Sequence, residues 1–525
     1  MSTPAAHPRR WWILGVVSLA QLTVVLDNTV LNVAVPSLTG SLHASTADVQ
    51  WMINTYSLAQ ASLLLTAGSV ADRYGRKRAL LFGLGLFGLG SFAAAMSATP
   101  GQLILARAFM GIGGSFLMTT TLALVMQIFD GSERGKAIGA WAGVSSLGFA
   151  AGPLVGGFLL DHAWWGSIFL INVPVAAAGI IGVVCMVPES RNPQGSRPDL
   201  VGIILSVLGM VGVVWAVIAG PQQGWASSEV VLPAVGGVLL LVAFVLYERW
   251  VSHPMLDMNL FRDRSFSAAA TGGVLVAFGM GGGLFLLTQQ LQFILGFSPL
   301  RTGIAVAPMA GTVVVLNLTG TGARLLKRLG AGRSVSIGIP LIAAGLAALS
   351  FFAGHGYVGA LVGLILIGSG VGLAMPALAN SIMSAISRQR AGIGAGVNGT
   401  LQEFGASLGV AILGALLSVR FASLLPHSLD HSVSASLPTA LAAAADQPQA
   451  AEVITATKQA FTSGLSTSEL FGAVFVLIGG LTVGFILHRV ELSRRPERGV
   501  GPAAGSGTSP VGPAAPEDHK ENVQS

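Results

Sequence analysis

The sequence predicts an all-α integral membrane protein with about fourteen membrane-spanning helices. Hydrophobic residues make up 52% of its 525 residues and charged residues only 10%, whereas a soluble domain carries about 25% charged residues. A soluble chain this apolar would have too little polar surface to face water. The apolar runs are long enough for helices that cross a bilayer, and they lack the alternation of a membrane-spanning β-barrel.

Basic residues orient the predicted spans. The spans cover residues 11–35, 50–70, 79–98, 102–126, 136–160, 166–187, 199–219, 230–250, 266–290, 301–321, 333–353, 357–380, 391–419 and 469–488. With a cytoplasmic N-terminus, the termini and the cytoplasmic connections hold all but four of the 28 basic residues, the exceptions being Arg107, Arg301, Arg420 and Lys458. This is the positive-inside pattern. We therefore expect a multi-pass protein of the cell membrane with both termini in the cytoplasm.

The spans divide the chain into two six-helix halves separated by two additional helices. The predicted segments are a cytoplasmic N-terminus at 1–10, the first half at 11–187, the additional helices with their linkers at 188–265, the second half at 266–488 with an external loop at 421–468, and a disordered cytoplasmic tail at 489–525. The net charge of +6 does not indicate a nucleic-acid partner, because the basic residues are scattered. The single cysteine, Cys185, excludes a disulfide within the chain.

The connection between spans 2 and 3 reads "GSVADRYGRKRAL" at 68–80. Its basic residues suit the anionic inner leaflet, as those of any charged turn would. The pattern resembles the signature loop of the major facilitator superfamily, and Gly68, Asp72, Arg73, Gly75 and Arg76 all match it. The resemblance implies a conformational latch between the two halves. The corresponding loop of the second half, at 323–333, has Lys327 where Asp72 stands, so we place the latch in the first half.

Span 4 contains an arginine, within "LILARAFMGIGGS" at 103–115. An arginine at the centre of a span costs about 2.5–3.5 kcal/mol on insertion scales, so Arg107 needs a partner. The stretch resembles the proton-linked motif of the superfamily, with Met110 in place of its usual glutamine.

Span 5 reads "GFAAGPLVGGFL" at 148–159. Glycines four residues apart give a smooth face for close helix packing, and that alone would indicate only a tightly packed helix. The full pattern, Gly148, Gly152, Pro153, Gly156 and Gly157, resembles the antiporter motif of drug:proton antiporters. It favours export over uptake.

Five further segments resemble the fourteen-span drug:proton antiporter family: "LDNTVLNVAVP" (26–36), "QWMINTYSLAQ" (50–60), "WWGSIFLINVP" (164–174), "LQFILGFSPLRTGIAVAP" (291–308) and "LQEFGASLGVAILG" (401–414). The resemblance covers roughly residues 11–420 and span 14. It implies a major facilitator fold of six, two and six helices with pseudo-twofold halves. It also implies proton-coupled efflux of drugs, antibiotics or other amphipathic compounds.

Few charges fall inside the spans, and they are the candidate proton-coupling residues. We expect Asp27 to carry the proton, Arg107 to tune it, and Glu403 to face the cavity from the second half. A carboxylate can bind a proton in one environment and release it in another. Alternatively, Asp27 is a buried structural acid, and Glu403 lies outside the cavity. The candidate substrate-cavity residues are Asn32, Asn54, Tyr56, Gln60, Gln289, Gln292 and Asn398, although many such residues only hydrogen-bond between helices.

The sequence contains no nucleotide-binding loop, since the nearest match, "GSERGKA" at 131–137, is too short. We therefore expect a proton gradient to drive transport, with no cofactor, no metal and no catalytic residues. The expected partners are protons, a small-molecule substrate and lipid, and the protein is expected to act as a monomer. Two alternatives stay open: a proton-coupled uptake symporter, and a membrane receptor or sensor that does not transport.

Overall fold

A computed structural model describes residues 9–129, 131–191, 198–251, 254, 256–384, 391–447 and 449–493. Its α-helices are α1 Arg10–Leu42, α2 Thr46–Tyr74, α3 Arg76–Ala95, α4 Pro100–Ile128, α5 Gly131–His162, α6 Ser167–Leu170, α7 Asn172–Met186, α8 Leu200–Gln223, α9 Ser228–Trp250, α10 Arg264–Gln289, α11 Pro299–Leu318, α12 Thr321–Phe351, α13 Tyr357–Ser384, α14 Ala391–Ser423, α15 Leu437–Ala445 and α16 Ala450–Ser493. A π-helical turn, Gln290–Ile294, extends α10. The predicted all-helical fold class is confirmed. The predicted tail at 489–525 lies outside the described residues beyond Ser493.

Thirteen helical segments are long and apolar enough to cross a membrane within the described part of the chain. α2 has 29 residues but is too polar to be counted among them. Its polar side chains Gln50, Asn54 and Gln60 are at most 1% exposed, so they face protein. Since these groups do not meet lipid, α2 fits as the fourteenth span.

The helices pack as two groups. α1 to α7 pack among themselves, as do α10 to α14 with α16. The two groups meet mainly where α2 lies along α14 and where α5 lies along α11. The additional helices α8 and α9 pack on each other, and α8 also touches α2 and α14. There Trp215 contacts Trp51, with ring centroids 5.4 Å apart.

A local repeat supports the pseudo-twofold relation of the halves. Gly75, between α2 and α3, has a φ of +122°, and Gly330, at a kink within α12, has a φ of +82°. A side chain on Gly75 would collide with Glu189, and one on Gly330 would collide with Glu491. Each glutamate lies at or just beyond the end of the last helix of its half. The loop at 323–333 therefore keeps the backbone geometry of the loop at 68–80 although Asp72 has no counterpart.

The segment between α14 and α16 covers one end of the bundle. The Thr46 hydroxyl donates to the Ala435 carbonyl at 3.0 Å, and Leu437 of α15 is 1% exposed. Beyond it, α16 begins at Ala450 rather than at 469, where its span was predicted to start. The polar stretch before 469 is helical because its hydroxyls bond within the helix, as Thr457 does to Val453 and Ser468 to Gly464.

Candidate functional site

Asp27 and Arg107 form a buried ion pair between α1 and α4. Asp27 is 3% exposed and Arg107 is 1% exposed. The Arg107 Nε also donates to the Met52 carbonyl at 3.1 Å, and its guanidinium lies 4.2 Å from the centroid of the Tyr56 ring. Asn172 of α7 donates to the other Asp27 oxygen at 3.4 Å. The predicted need of Arg107 for a partner is thus met by three groups on two helices: Asp27 of α1, and Met52 and Tyr56 of α2.

The glycines of the span 4 motif allow this arrangement. A Cβ added at Gly111 would lie 2.9 Å from the Ala59 Cβ, and one added at Gly114 would lie 2.9 Å from the Tyr56 hydroxyl oxygen. Both distances are shorter than ordinary carbon contacts, which begin near about 3.5 Å. Glycine at these positions therefore lets α4 approach α2 closely enough for Arg107 to lie over Tyr56.

Glu403 approaches the pair from the other half. It lies on α14, interacts with the Ser57 hydroxyl of α2, and is within electrostatic range of Arg107. It keeps part of its surface exposed, and its place in the substrate cavity stays a prediction. Asp27, Tyr56, Arg107 and Glu403 thus form one cluster, which we call the ionisable cluster, and which includes groups from both halves.

Three of the predicted cavity residues lie on α2 with hydrogen-bonding capacity unused. In the described structure, the Asn54 Nδ2 and Oδ1 have no hydrogen-bond partner. The Tyr56 hydroxyl and the Gln60 Oε1 also have no hydrogen-bond partner there. The Gln60 Nε2 contacts the Met118 Sδ at 2.6 Å. Buried polar groups normally find a partner, so these groups are available to water or to a ligand.

The other predicted cavity residues are arranged differently. Asn32 donates to Asn28 and Gln289 donates to Phe285, each within its own helix. Gln292 crosses between the halves and donates to the Val33 carbonyl at 2.8 Å. Asn398 is partly exposed on α14, with its Oδ1 4.0 Å from where a Gly273 Cβ would stand.

The span 5 motif lies between α1 and α11. Cβ atoms added at Gly148, Gly152 and Gly156 would meet Leu22, Thr29 and Val30 of α1, whereas one at Gly157 would meet the backbone of Pro299 and Leu300. The glycine face predicted for close packing therefore contacts α1 on one side. Its last glycine contacts the other half.

The loop at 68–80 contacts neighbours within the first half. Asp72 and Arg76 pair at 2.7 Å, and Arg76 also donates to Gln127 at the end of α4. The Arg76 amide donates to the Ser190 carbonyl at 2.9 Å. A Cβ added at Gly68 would lie 3.9 Å from the Thr119 side chain. The part of the second half at 385–390 lies outside the described residues, and the latch role of Gly68, Asp72, Arg73, Gly75 and Arg76 stays a prediction.

Asn172 and Glu469 are buried polar residues that sequence reasoning missed. Asn172 completes the surroundings of Asp27, but an asparagine near the start of a span carries no distinctive signal. Glu469 of α16 is completely buried, and it was overlooked because the predicted span began at that residue. An acidic residue followed by about twenty apolar residues was the available signal.

Comparison with known proteins agrees with this architecture. The family model described as Major Facilitator Superfamily matches residues 17–410. The chain is 32% identical over 499 residues to the multidrug efflux pump LfrA of Mycolicibacterium smegmatis, covering 93% of this chain and 98% of that protein. It is 38% identical over 416 residues to the puromycin resistance protein pur8 of Streptomyces alboniger, covering 77% and 81%.

Among solved structures, the fold is similar to that of a bacterial homolog of the human lysosomal transporter Spinster in an inward-facing, unoccupied conformation. The TM-score is 0.65 at 16% identity, with 92% of this chain and 98% of that chain covered. This likeness concerns the fold alone. The family model covers most of the chain, and LfrA is related along almost its whole length. The chain therefore belongs to the Major Facilitator Superfamily, among relatives that are multidrug and antibiotic efflux proteins.

Proposed function

We propose that this protein exports small organic molecules across the cytoplasmic membrane in exchange for protons, by alternating access, with both termini in the cytoplasm. The relatives named for multidrug efflux and puromycin resistance support the direction of transport. The single observation that carries proton coupling is the buried pair of Asp27 and Arg107. The protein acts as a monomer and uses no cofactor.

The pair couples protonation to helix packing. With Asp27 ionised, the Arg107 charge is compensated by α1. A proton on Asp27 removes that compensation and leaves a buried cation, which is costly unless another carboxylate takes over. Glu403 is the carboxylate within electrostatic range. Protonation at Asp27 therefore shifts the attraction of Arg107 from the first half to the second half, which biases the two-state equilibrium between the halves.

The energy of the gradient is sufficient for export. One charge that moves through 100 mV gains about 2.3 kcal/mol, and a tenfold concentration gradient of substrate costs about 1.4 kcal/mol. A single proton per cycle therefore supports more than a tenfold gradient. No nucleotide is required for transport on this scale.

The substrate binds beside α2. Asn54, Tyr56 and Gln60 offer polar atoms without partners, and Met118 adds an adaptable apolar contact to Gln60. A few polar groups within apolar walls suit amphipathic organic molecules. This composition supports drugs and antibiotics as the substrate class.

The experiment uses inside-out membrane vesicles with a preformed acidic lumen. A panel of cationic dyes and antibiotics is added, and luminal pH is followed with a fluorescent probe. Wild-type vesicles should release protons when a substrate is added, and Asp27→Asn vesicles should not. Glu229→Gln, an exposed carboxyl at the start of α9, is the matched control and should behave as wild type.

The same assay separates the alternatives. Asp27→Asn vesicles that release protons at the wild-type rate would refute the role of Asp27. Substrate-driven acidification of the lumen would indicate symport instead. Substrate binding with no proton movement in any vesicle would indicate a sensor. Arg107→Lys should also lose coupling, because an ammonium cannot contact Asp27, Met52 and the Tyr56 ring together.

A further inference from the structure

Glu469 is a buried carboxyl that lies outside the ionisable cluster. It lies within α16 and is 0% exposed. In the described structure neither of its carboxyl oxygens has a hydrogen-bond partner. Buried carboxylates in proteins are paired or bound to a cation, so an acid in this position requires an explanation.

Two aromatic contacts fix the level of Glu469 beside α10. The Phe475 ring lies 4.9 Å from that of Phe278, and the Phe461 ring lies 6.1 Å from that of Phe293. The two helices are antiparallel, and Glu469 lies between the contacts, about one and a half turns along the helix axis from Gln290. The Gln290 Oε1 is also buried without a partner in the described structure. Two oxygens with unused hydrogen-bonding capacity therefore occur in the same region.

Glu469 is enclosed from two further directions. One turn before it, the Ser466 and Ser350 hydroxyls of α16 and α12 lie 2.9 Å apart. One turn after it, a Cβ at Gly472 would lie 3.2 Å from Leu413 of α14. The carboxyl thus lies in an interface between α16 and three other helices, α10, α12 and α14. An organic ligand cannot reach it in this arrangement, and a hard metal cation would require several oxygen ligands. A proton is the one ligand that fits.

No charged group compensates an ionised Glu469 within the described structure. The charged and titratable residues on its own helix and on the long helices packed against it are Arg264, Arg324, Lys327, Arg328, Arg333, Glu403, Arg420, Glu452, Lys458, His488, Arg489 and Glu491. α15 and the π-helical turn carry none. Arg420 is exposed on α14, and Lys458 is 11 residues, about 16 Å of helix, from Glu469. Neither forms an ion pair with it.

We propose that Glu469 is a second proton-binding site, located in the second half of the transporter. In the arrangement described here it holds its proton, because an ionised carboxyl would have neither water nor a counter-ion. When α10, α12 and α14 shift relative to α16 and water enters, the carboxyl ionises and releases the proton. The place of this step in a transport cycle rests on the proposed function, whereas the protonation itself does not.

Infrared difference spectroscopy of the full chain in phosphatidylethanolamine–phosphatidylglycerol liposomes tests the proposal without a substrate. The carbonyl stretch of protonated carboxyls is followed from about pH 5 to about pH 9. An ordinary glutamate, with a pKa of about 4.3, is already mostly ionised throughout this range. Wild type should show a band that loses at least about half its intensity across this range, because a rising pH favours the arrangement in which water reaches the carboxyl and the proton is released. Glu469→Gln should lack the part of this band that comes from Glu469 and keep any part that comes from the ionisable cluster. Glu452→Gln, an exposed glutamate on the same helix, should keep the whole band.

Each outcome decides the proposal. A band that is present in wild type, absent in Glu469→Gln and constant with pH would identify a permanently neutral structural acid and overturn it. Identical spectra for wild type and Glu469→Gln would overturn it as well. If Glu469→Gln does not fold, Glu469→Asp should shift the titrating band rather than remove it. A constant band together with loss of proton release in Asp27→Asn vesicles would refute this site alone. A titrating band with normal proton release in those vesicles would refute the role of Asp27 alone.

Discussion

Replacing Gly157 with alanine should force the two halves apart. A Cβ at this position would lie 2.5 Å from the Pro299 carbonyl oxygen, 2.7 Å from the Leu300 Cα and 2.9 Å from the Pro299 carbonyl carbon. Ordinary carbon contacts begin near about 3.5 Å, so α5 and α11 must separate by roughly 0.6–1 Å. The obstacle is backbone and cannot rotate away as a side chain could. Overpacking of this kind costs about 1–3 kcal/mol.

This cost falls on an interface that alternating access has to preserve while the halves tilt. If Gly157→Ala raises the barrier of the cycle by about 1.4 kcal/mol, export slows about tenfold. The apparent unfolding temperature of the purified protein should also fall. Gly139→Ala is the matched control on the same helix, because a Cβ there meets no atom within 4 Å. That control should retain export, and it should be unchanged or slightly more stable, since alanine favours a helix by about 0.5–1 kcal/mol over glycine.

Export by the two variants is measured as dye efflux from energised cells at matched protein levels, and stability as the unfolding temperature in detergent. Equal behaviour of Gly157→Ala and Gly139→Ala in both measurements would refute the close contact between α5 and α11. A loss of stability with normal export would show that the contact holds the halves together without limiting the cycle.

Three smaller changes test other parts of the structure. Ser45→Ala removes the capping box at the start of α2 and should lower stability by about 1 kcal/mol, seen as a lower unfolding temperature. Gln50→Leu removes two hydrogen bonds to α14 carbonyls and should lower it by about 1–3 kcal/mol; an unchanged unfolding temperature would contradict those bonds. The hydrogen bond from the Arg10 guanidinium lowers the pKa of Glu133. The pair therefore stabilises the folded protein fully at pH values above the ordinary glutamate pKa. This stabilisation is lost as the pH falls through the lowered pKa of Glu133. The stability difference between wild type and Glu133→Gln should therefore be present at neutral pH and vanish in acid.

The helical architecture could be predicted because lipid leaves few options. An apolar run of about twenty residues has to be a helix, and the alternation of basic loops orients each run. The prediction placed residues 450–468 in the external segment, with an amphipathic helix near 450–461, whereas in the structure α16 begins at Ala450 and includes Thr457 and Ser468. Each hydroxyl bonds to the carbonyl four residues earlier, which makes a polar stretch compatible with a helix. Whether a hydroxyl does so depends on its rotamer and on its neighbours, neither of which is visible in the chain.

The residues of the candidate site could be predicted better than the contacts that they make. Asp27 and Arg107 were selected because charges are rare in spans, and the structure places them in contact. The sequence could not show which of the predicted cavity residues keep polar atoms free for a ligand and which bond within their own helix. Asn54 and Gln60 keep unused polar atoms, whereas Asn32 donates within its own helix. All three are amides in spans, and only the direction of each side chain separates them.

The polarity of α2 has a physical cause in its position between the halves. Met52 and Tyr56 are one turn apart on this helix, and both contact Arg107. Ser57, the next residue, interacts with Glu403 of the second half. The groups that sense the charge of Asp27 and the group that meets α14 are therefore adjacent on one rigid helix. Under the proposed mechanism, the effect of protonating Asp27 reaches the second half through Arg107 and a single turn of α2. A longer pathway through the bundle is not needed.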